Sequence, residues 1–323
     1  MRVSLKLNII LWIALCAGLI AQIGKGYVDI SLTQFFNSLV TNNFPEIRHV
    51  LLELRIPRAL LAALVGAALG VSGAALQTGL QNPLADAGVL GIGSWASLGG
   101  VLVLYMGWSN FSIFAIPIGA LTGGLFSTLI LWWIHQHHTT ASLLIAGLAL
   151  GAFAVAGMSV IMSLSINPFA LSELTHWILG SFKQVQLQDL YISGPLLILG
   201  IFLLLRDRRF QDALILGEDT AATLGCDLRV MRARMIWGSA LCVGGSVASV
   251  GAIGFVGLLI PHLLRSLKIV YPSQLIQLSA IGGAVFLVWA DYLVRWLPTN
   301  PELHIGAITA LLGIPVFLRA MLK

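Results

Sequence analysis

The densest set of potential metal ligands in the chain is His135-x-His137-His138. Imidazoles are common ligands of zinc and its neighbours, but a built site also needs carboxylate or thiolate partners and a supporting second shell. None lies nearby in sequence. The three histidines directly follow an apolar run, and histidine near the negative end of a helix dipole accounts for them. Asp291 is the clearest acid inside an apolar run, the position of a proton relay in ion-coupled carriers. Arg295 follows four residues later, and a local i,i+4 ion pair is the simpler reading. His262 is too far from Asp291 to suggest a catalytic constellation. Cys16, Cys226 and Cys242 are too few and too scattered for a disulfide framework or a metal motif. No G-x-x-x-x-G-K-[ST] segment occurs: Gly24-Lys25 is followed by Gly26 and lacks the upstream glycine. Gly91-Ile92-Gly93 has no third glycine in step for a dinucleotide fingerprint. The sequence thus offers no catalytic residue, no metal site and no cofactor of its own, and any use of ATP falls to another chain.

The elements that carry these residues are overwhelmingly apolar. Of 323 residues, 58% are hydrophobic, 10% are charged and 34 are glycine. The mean hydropathy is +0.94. A soluble domain carries about 25% charge, and one of this composition would expose aggregating patches. The expectation is an all-α integral membrane protein. The formal charge of +5 sits in short clusters between apolar runs, which points to membrane topology and not to nucleic acid. Arg2 and Lys6 precede an apolar stretch from Leu7 to Ile23, a pattern shared with signal peptides. Leu15 before Cys16 is wrong for lipoprotein processing, and no small-x-small cleavage site leads into a soluble domain, so this stretch is expected to be an uncleaved first span.

A spanning helix takes about 20 apolar residues. Ten candidates follow: 7–26, 57–80, 86–106, 111–134, 141–165, 187–206, 231–250, 251–267, 274–297 and 303–321. The pair 231–250 and 251–267 adjoin without a polar loop, so either a glycine turn near Gly251 or a broken helix is expected there. With both termini in the cytoplasm, inner segments hold 12 Lys and Arg residues and outer segments 6, as the positive-inside rule requires. Residues 27–56 and 166–186 then lie outside, the latter as a short surface helix or loop begun by Asn167-Pro168. The longest inner segment, 207–230, is too polar to span and too apolar for a plain linker, so short amphipathic helices that dock a partner are expected. Gly66-xxx-Gly70, Gly119-xxx-Gly123 and Gly147-xxx-Gly151 predict faces where helix backbones approach closely. The whole of 1–323 reads as one transmembrane domain.

Several segments resemble one family along nearly the whole chain: Arg55-Ile56-Pro57-Arg58; GAALGVSGAALQ from Gly66 to Gln77; Asn82-Pro83-Leu84-Ala85; Leu216-Gly217-Glu218 before Ala221 and Leu224-Gly225; GAIGFVGLLIPHLLR from Gly251 to Arg265; Ala290-Asp291 with Arg295; and Ile305-Gly306 through Gly313-Ile314-Pro315-Val316-Phe317. In this order they are similar to the iron-siderophore, haem and vitamin B12 importer permeases (FecCD/vitamin B12 type), the transmembrane subunits of type II ABC importers. The family usually has proline where this chain has Ala87 and His304.

The resemblance implies a fold of about ten spans in a bacterial cell membrane. The implied partners are two copies of a cytoplasmic ABC ATPase (which would hold the ATP and Mg), a second permease subunit, the same chain or a related one, and a soluble substrate-binding protein. A ferric siderophore is the expected cargo, with haem or vitamin B12 as alternatives, and an ion-coupled secondary carrier is the competing reading. Arg55, Arg58 and Arg295 would receive acidic residues of the binding protein, where anchoring to lipid headgroups is the plainer role. Asn82, Leu84, Thr140 and Ala141 would form the cytoplasmic gate, where capping and turn chemistry is the alternative. Leu214, Gly217, Glu218, Ala221, Leu224 and Gly225 would couple to the ATPase, with Leu214 and Leu224 as anchors and the small residues allowing close contact.

Overall fold

The computed structural model describes residues 2–24, 45–137, 140–165, 177–297 and 303–321. Among them every regular element is a helix. In chain order these are α1 (Arg2–Gly24), α2 (Pro45–His49), a π-helical turn (Val50–Arg55), α3 (Ile56–Gly79), α4 (Ile92–Tyr105), α5 (Ala115–His137), α6 (Thr140–Leu164), α7 (Leu187–Arg206), α8 (Arg208–Ala213), α9 (Glu218–Thr223), α10 (Leu228–Val250), α11 (Val256–Ser266), α12 (Pro272–Trp296) and α13 (Ile305–Met321). Single 3-10 turns occupy Trp108–Asn110 and Leu214–Leu216.

Each of the ten expected spans corresponds to a helix, and among the described residues seven helices are long and apolar enough to cross a membrane. Two helices fall well short of their expected spans, which corrects those boundaries. The 86–106 span becomes turns to Gly91 followed by the 14-residue α4, and 251–267 becomes an irregular stretch followed by the 11-residue α11. At 1.5 Å per residue these helices cover about 21 and 16 Å, short of the ~30 Å hydrocarbon core. α13 runs over the 17 residues Ile305–Met321, close to the expected 303–321.

The question left open at Gly251 is resolved in favour of a break. Gly251 has φ +73, and Phe255 enters α11 at φ +68. Backbone that leaves a helix inside a membrane protein must find partners in protein. Here the segment 177–181 supplies them: Ala252 N donates to Trp177 O at 3.0 Å, and Ser181 N to Val250 O at 2.8 Å. The fit is tight enough that a Cβ on Gly251 would lie 2.5 Å from Trp177 O.

α3 is the central helix, and most of its residues are buried. It packs most extensively on α12. All three expected glycine faces are close-approach surfaces. A Cβ on Gly66 would lie 2.3 Å from Gly283 O, and one on Gly70 2.1 Å from Ser279 O, both on α12. Gly119 and Gly123 of α5 meet Gly99 and Trp95 of α4, and Gly147 of α6 meets Leu90. Without glycine these backbones could not approach so closely. By contrast α1 is mostly uncovered, with 17% of its apolar window buried. Its main contact is with α12, where Gly18 lies against Val288 and Trp289, and Trp289 Nε1 donates to Ala14 O at 3.1 Å.

Candidate functional site

At the end of the bundle where α1 stops, three arginines converge as expected. The local cause begins with Pro57, whose ring removes one helical hydrogen bond and crowds the carbonyl four residues back. The chain widens there into the π-turn Val50–Arg55, with Ile56 N bonding to Leu51 O, and continues into α3 without a break. The last carbonyls of α1 have no intrahelical partner. Arg55 Nη1 donates to Ile23 O at 3.0 Å and to Gly24 O at 3.2 Å, and Arg295 Nη1 donates to Gln22 O at 3.0 Å. Arg58 grips Asp291 with two parallel bonds, Nε to Oδ2 at 3.0 Å and Nη2 to Oδ1 at 2.9 Å. Gln22 Nε2 adds a bond to Asp291 Oδ2 at 3.1 Å and one to Val288 O at 2.8 Å.

Two expectations are corrected by this geometry. Asp291 pairs with Arg58 across helices, instead of with Arg295 on its own helix. The arginines face inward: Arg55 is 4% exposed and Arg58 9%, so their guanidiniums clamp α1 to α3 and α12. Arg295 is half-buried.

At the other end of α3, Asn82 closes a turn by accepting from Leu84 N at 2.9 Å, which is the turn chemistry weighed for it. Leu84 projects outward, 47% exposed. Thr140 opens α6. The side chains of Thr140, Ala141, His135 and His137, and the whole of His138, lie outside the described residues, as does most of the 166–186 loop.

The segment 207–230 folds into α8, a 3-10 turn and α9, closed by a miniature core of Leu214, Ala221, Cys226 and Met231. Leu214 is 5% exposed and Leu224 63%, so the two expected anchors divide: one holds the segment together and the other faces outward. Phe210, Ile215 and Leu216 are exposed with it. Gly217 and Gly225 have φ of +96 and +84, with open space where a Cβ would stand. Both stand in a backbone conformation that favours glycine. Ala221 is the small residue that is buried. Glu218 pairs with Arg232, and Arg234 with Asp207 at 2.8 Å, tying the segment to α10.

Sequence reasoning passed over Gln77, Thr78, Gln81 and Gln211. Thr78 bonds Gln211, and Gln81 Nε2 donates to Leu214 O at 3.3 Å. Gln77 Nε2 donates to Gly257 O at 3.2 Å, and its Oε1 accepts from Arg265. Their signal was present: three polar side chains within five residues, at the end of a helix otherwise apolar or small from Ala59 onward.

Residues 11–323 match the FecCD transport family. This chain belongs to the FecCD transport family. Among FecCD relatives, the vitamin B12 import system permease protein BtuC of Salmonella paratyphi A is 37% identical over 272 residues, covering 84% of this chain and 83% of that protein. The hemin transport system permease protein HmuU of Yersinia pestis is 34% identical over 327 residues, covering 100% and 96%. An inward-facing structure of an ABC transporter classed as metal-chelate type superposes with a TM-score of 0.86 at 28% identity, covering 100% of this chain and 99% of that one. PsaBC from Streptococcus pneumoniae, at TM-score 0.57 and 17% identity over 90% and 95% of the two chains, shares the fold alone.

Three of the motifs mark places where this backbone departs from a regular helix. Arg55-Ile56-Pro57-Arg58 contains the end of the π-turn, Asn82-Pro83-Leu84-Ala85 the turn after α3, and Gly251–Arg265 the break and α11. The two departures from FecCD usage are locally accommodated. Ala87 O accepts from Ile92 N at 3.1 Å, and His304 O accepts from Ala307 N and Ile308 N to start α13.

Proposed function

We propose that this chain is the permease subunit of a type II importer for a metal chelate, inserted in a bacterial cell membrane with both termini cytoplasmic. Family membership over nearly the whole chain carries this reading. A ferric siderophore is the first assignment, with haem and vitamin B12 as the other members of the cargo class. The named relatives carry vitamin B12 and haemin, and these share with siderophores a metal wrapped in an organic ligand.

The geometry supports specific roles. The outward apolar set Phe210, Ile215, Leu216 and Leu224 stands on its own small core, as a docking surface for an ATPase requires. Leu214, Gly217, Glu218, Ala221 and Gly225 shape that surface. ATP hydrolysis is assigned to the partner ATPase and not to this chain. Asn82 and Leu84, with Thr140 and Ala141 at the start of α6, are assigned to the inner gate. The arginine clamp positions the outer end of α1, and docking of a binding protein is assigned to the rim around Arg295.

The test is purification under mild detergent with identification of co-purifying chains, followed by uptake into cells or vesicles of ⁵⁵Fe-labelled ferrichrome, haemin and cyanocobalamin. An ATPase recovered with the chain, and ATP-dependent uptake of one of the three, is the expected result. Transport by this chain alone, driven by an ion gradient, would overturn the assignment.

A further inference from the structure

The inner end of α3 is a junction. From one side it receives the ATPase-facing segment: the Thr78 hydroxyl meets Gln211 on α8, and Gln81 Nε2 donates to Leu214 O in the following 3-10 turn. Gln211 is buried, 1% exposed, so water does not replace this contact when it breaks. Gln81 stands at φ +49, a backbone region uncommon for a residue with a side chain. That conformation places it between the end of α3 and Asn82-Pro83-Leu84, which follow immediately. From the other side Gln77 reaches both ends of α11, donating to Gly257 O in the first turn and accepting from Arg265 in the last. A further bond, Ser273 N to Asp212 Oδ1 at 2.8 Å, ties α8 to the start of α12.

Apolar helix faces can slide past one another in small steps. Polar bonds made by buried side chains such as Gln77 and Gln211 resist sliding, because each displaced group is left without a partner, and Gln81, itself exposed, adds a tie at the surface. The segment 208–216 and the inner end of α3 therefore move as one piece.

We propose that Thr78, Gln81 and Gln211 are positioning residues that carry displacement of the ATPase-facing segment into the gate loop at Asn82–Leu84, with Gln77 passing the same displacement to α11. The proposal rests on the reading that 207–230 docks an ATPase.

The experiment uses the complex purified with its own ATPase and placed in lipid nanodiscs. Cys16 is exposed whereas Cys226 and Cys242 are buried, so a Cys16→Ser, Leu84→Cys parent presents a single reporter thiol. Its rate of modification by a polar maleimide is measured with and without ATP and vanadate. The expected result is a rate change of about fivefold or more in the parent, falling below about twofold in Gln81→Met/Gln211→Met, with basal ATP hydrolysis within about twofold of the parent. Gln211→Glu keeps an acceptor for Thr78 and should retain the response. Should the double variant fail to assemble, Thr78→Val, which preserves side-chain shape, is read by the same criterion. A full ATP response in the variants would overturn the proposal. Absence of any response in the parent would instead overturn the ATPase reading on which it rests.

Discussion

Removing the carboxylate of Asp291 should destabilise the fold more than almost any other single change. Asp291 is 1% exposed and accepts two bonds from Arg58 and one from Gln22. In Asp291→Ala all three bonds vanish while a guanidinium with an 11% exposed side chain stays beside the gap. Breaking a buried pair by deleting one partner costs about 3–5 kcal/mol, because the remaining charge has lost its compensation. Replacing both partners by apolar residues removes the uncompensated charge along with the pair. The double variant Arg58→Met/Asp291→Leu is therefore expected to lose at least about 2 kcal/mol less than the sum of the two single changes. Reversible unfolding in mixed micelles, followed by tryptophan fluorescence, measures each corner of the cycle. Strict additivity, or a loss below about 1 kcal/mol in Asp291→Ala, would refute the view that this pair is a tightly coupled clamp.

Other consequences concern glycines and the inner surface. Gly70→Leu should abolish folded protein, since even its Cβ would stand 2.1 Å from Ser279 O, whereas Gly254→Ala meets nothing within 4 Å and should shift stability by no more than ~0.5 kcal/mol; folded yield by size-exclusion chromatography separates the two. Gly225→Ala forces a side chain into φ +84 and should cost about 1–2 kcal/mol, seen as a lower melting temperature. Ile215→Glu and Leu216→Glu alter only exposed side chains, so they should leave melting unchanged while reducing co-purification of the ATPase at least about tenfold. Equal recovery of the ATPase with these variants would remove the docking role of that face.

The spans were legible because the bilayer imposes length and polarity together, and a run of apolar residues reports both. Hydropathy is blind to backbone conformation, so Gly251–Phe255 reads as the start of a span although it is not helical. What permits that conformation is bonding to residues 177–181, some 70 positions away. The arginines were legible as a cluster at one end of the bundle. Their direction was not, because it depends on the carbonyls where α1 ends, 30 and more residues earlier. Leu214 and Leu224 differ only in position within the same short segment, and the fold of its small core decides which is buried. Gln77, Thr78 and Gln81 announced themselves as polar residues ending an apolar helix, but their partners lie on α8 and α11, which no local pattern connects to them.

The attachment of α1 also sets an order of events during synthesis. Its polar contacts at Gln22 are with Val288 and Asp291, 266 and 269 positions further along. At about 5–20 residues per second, those partners emerge tens of seconds after α1 has been made. Until then the Arg55 bonds at Ile23 and Gly24 are polar ties of α1 to earlier parts of the chain, and its hydropathy of 2.0 suits the rest of it to lipid. The attachment of α1 to the bundle is thus completed only when α12 has been made.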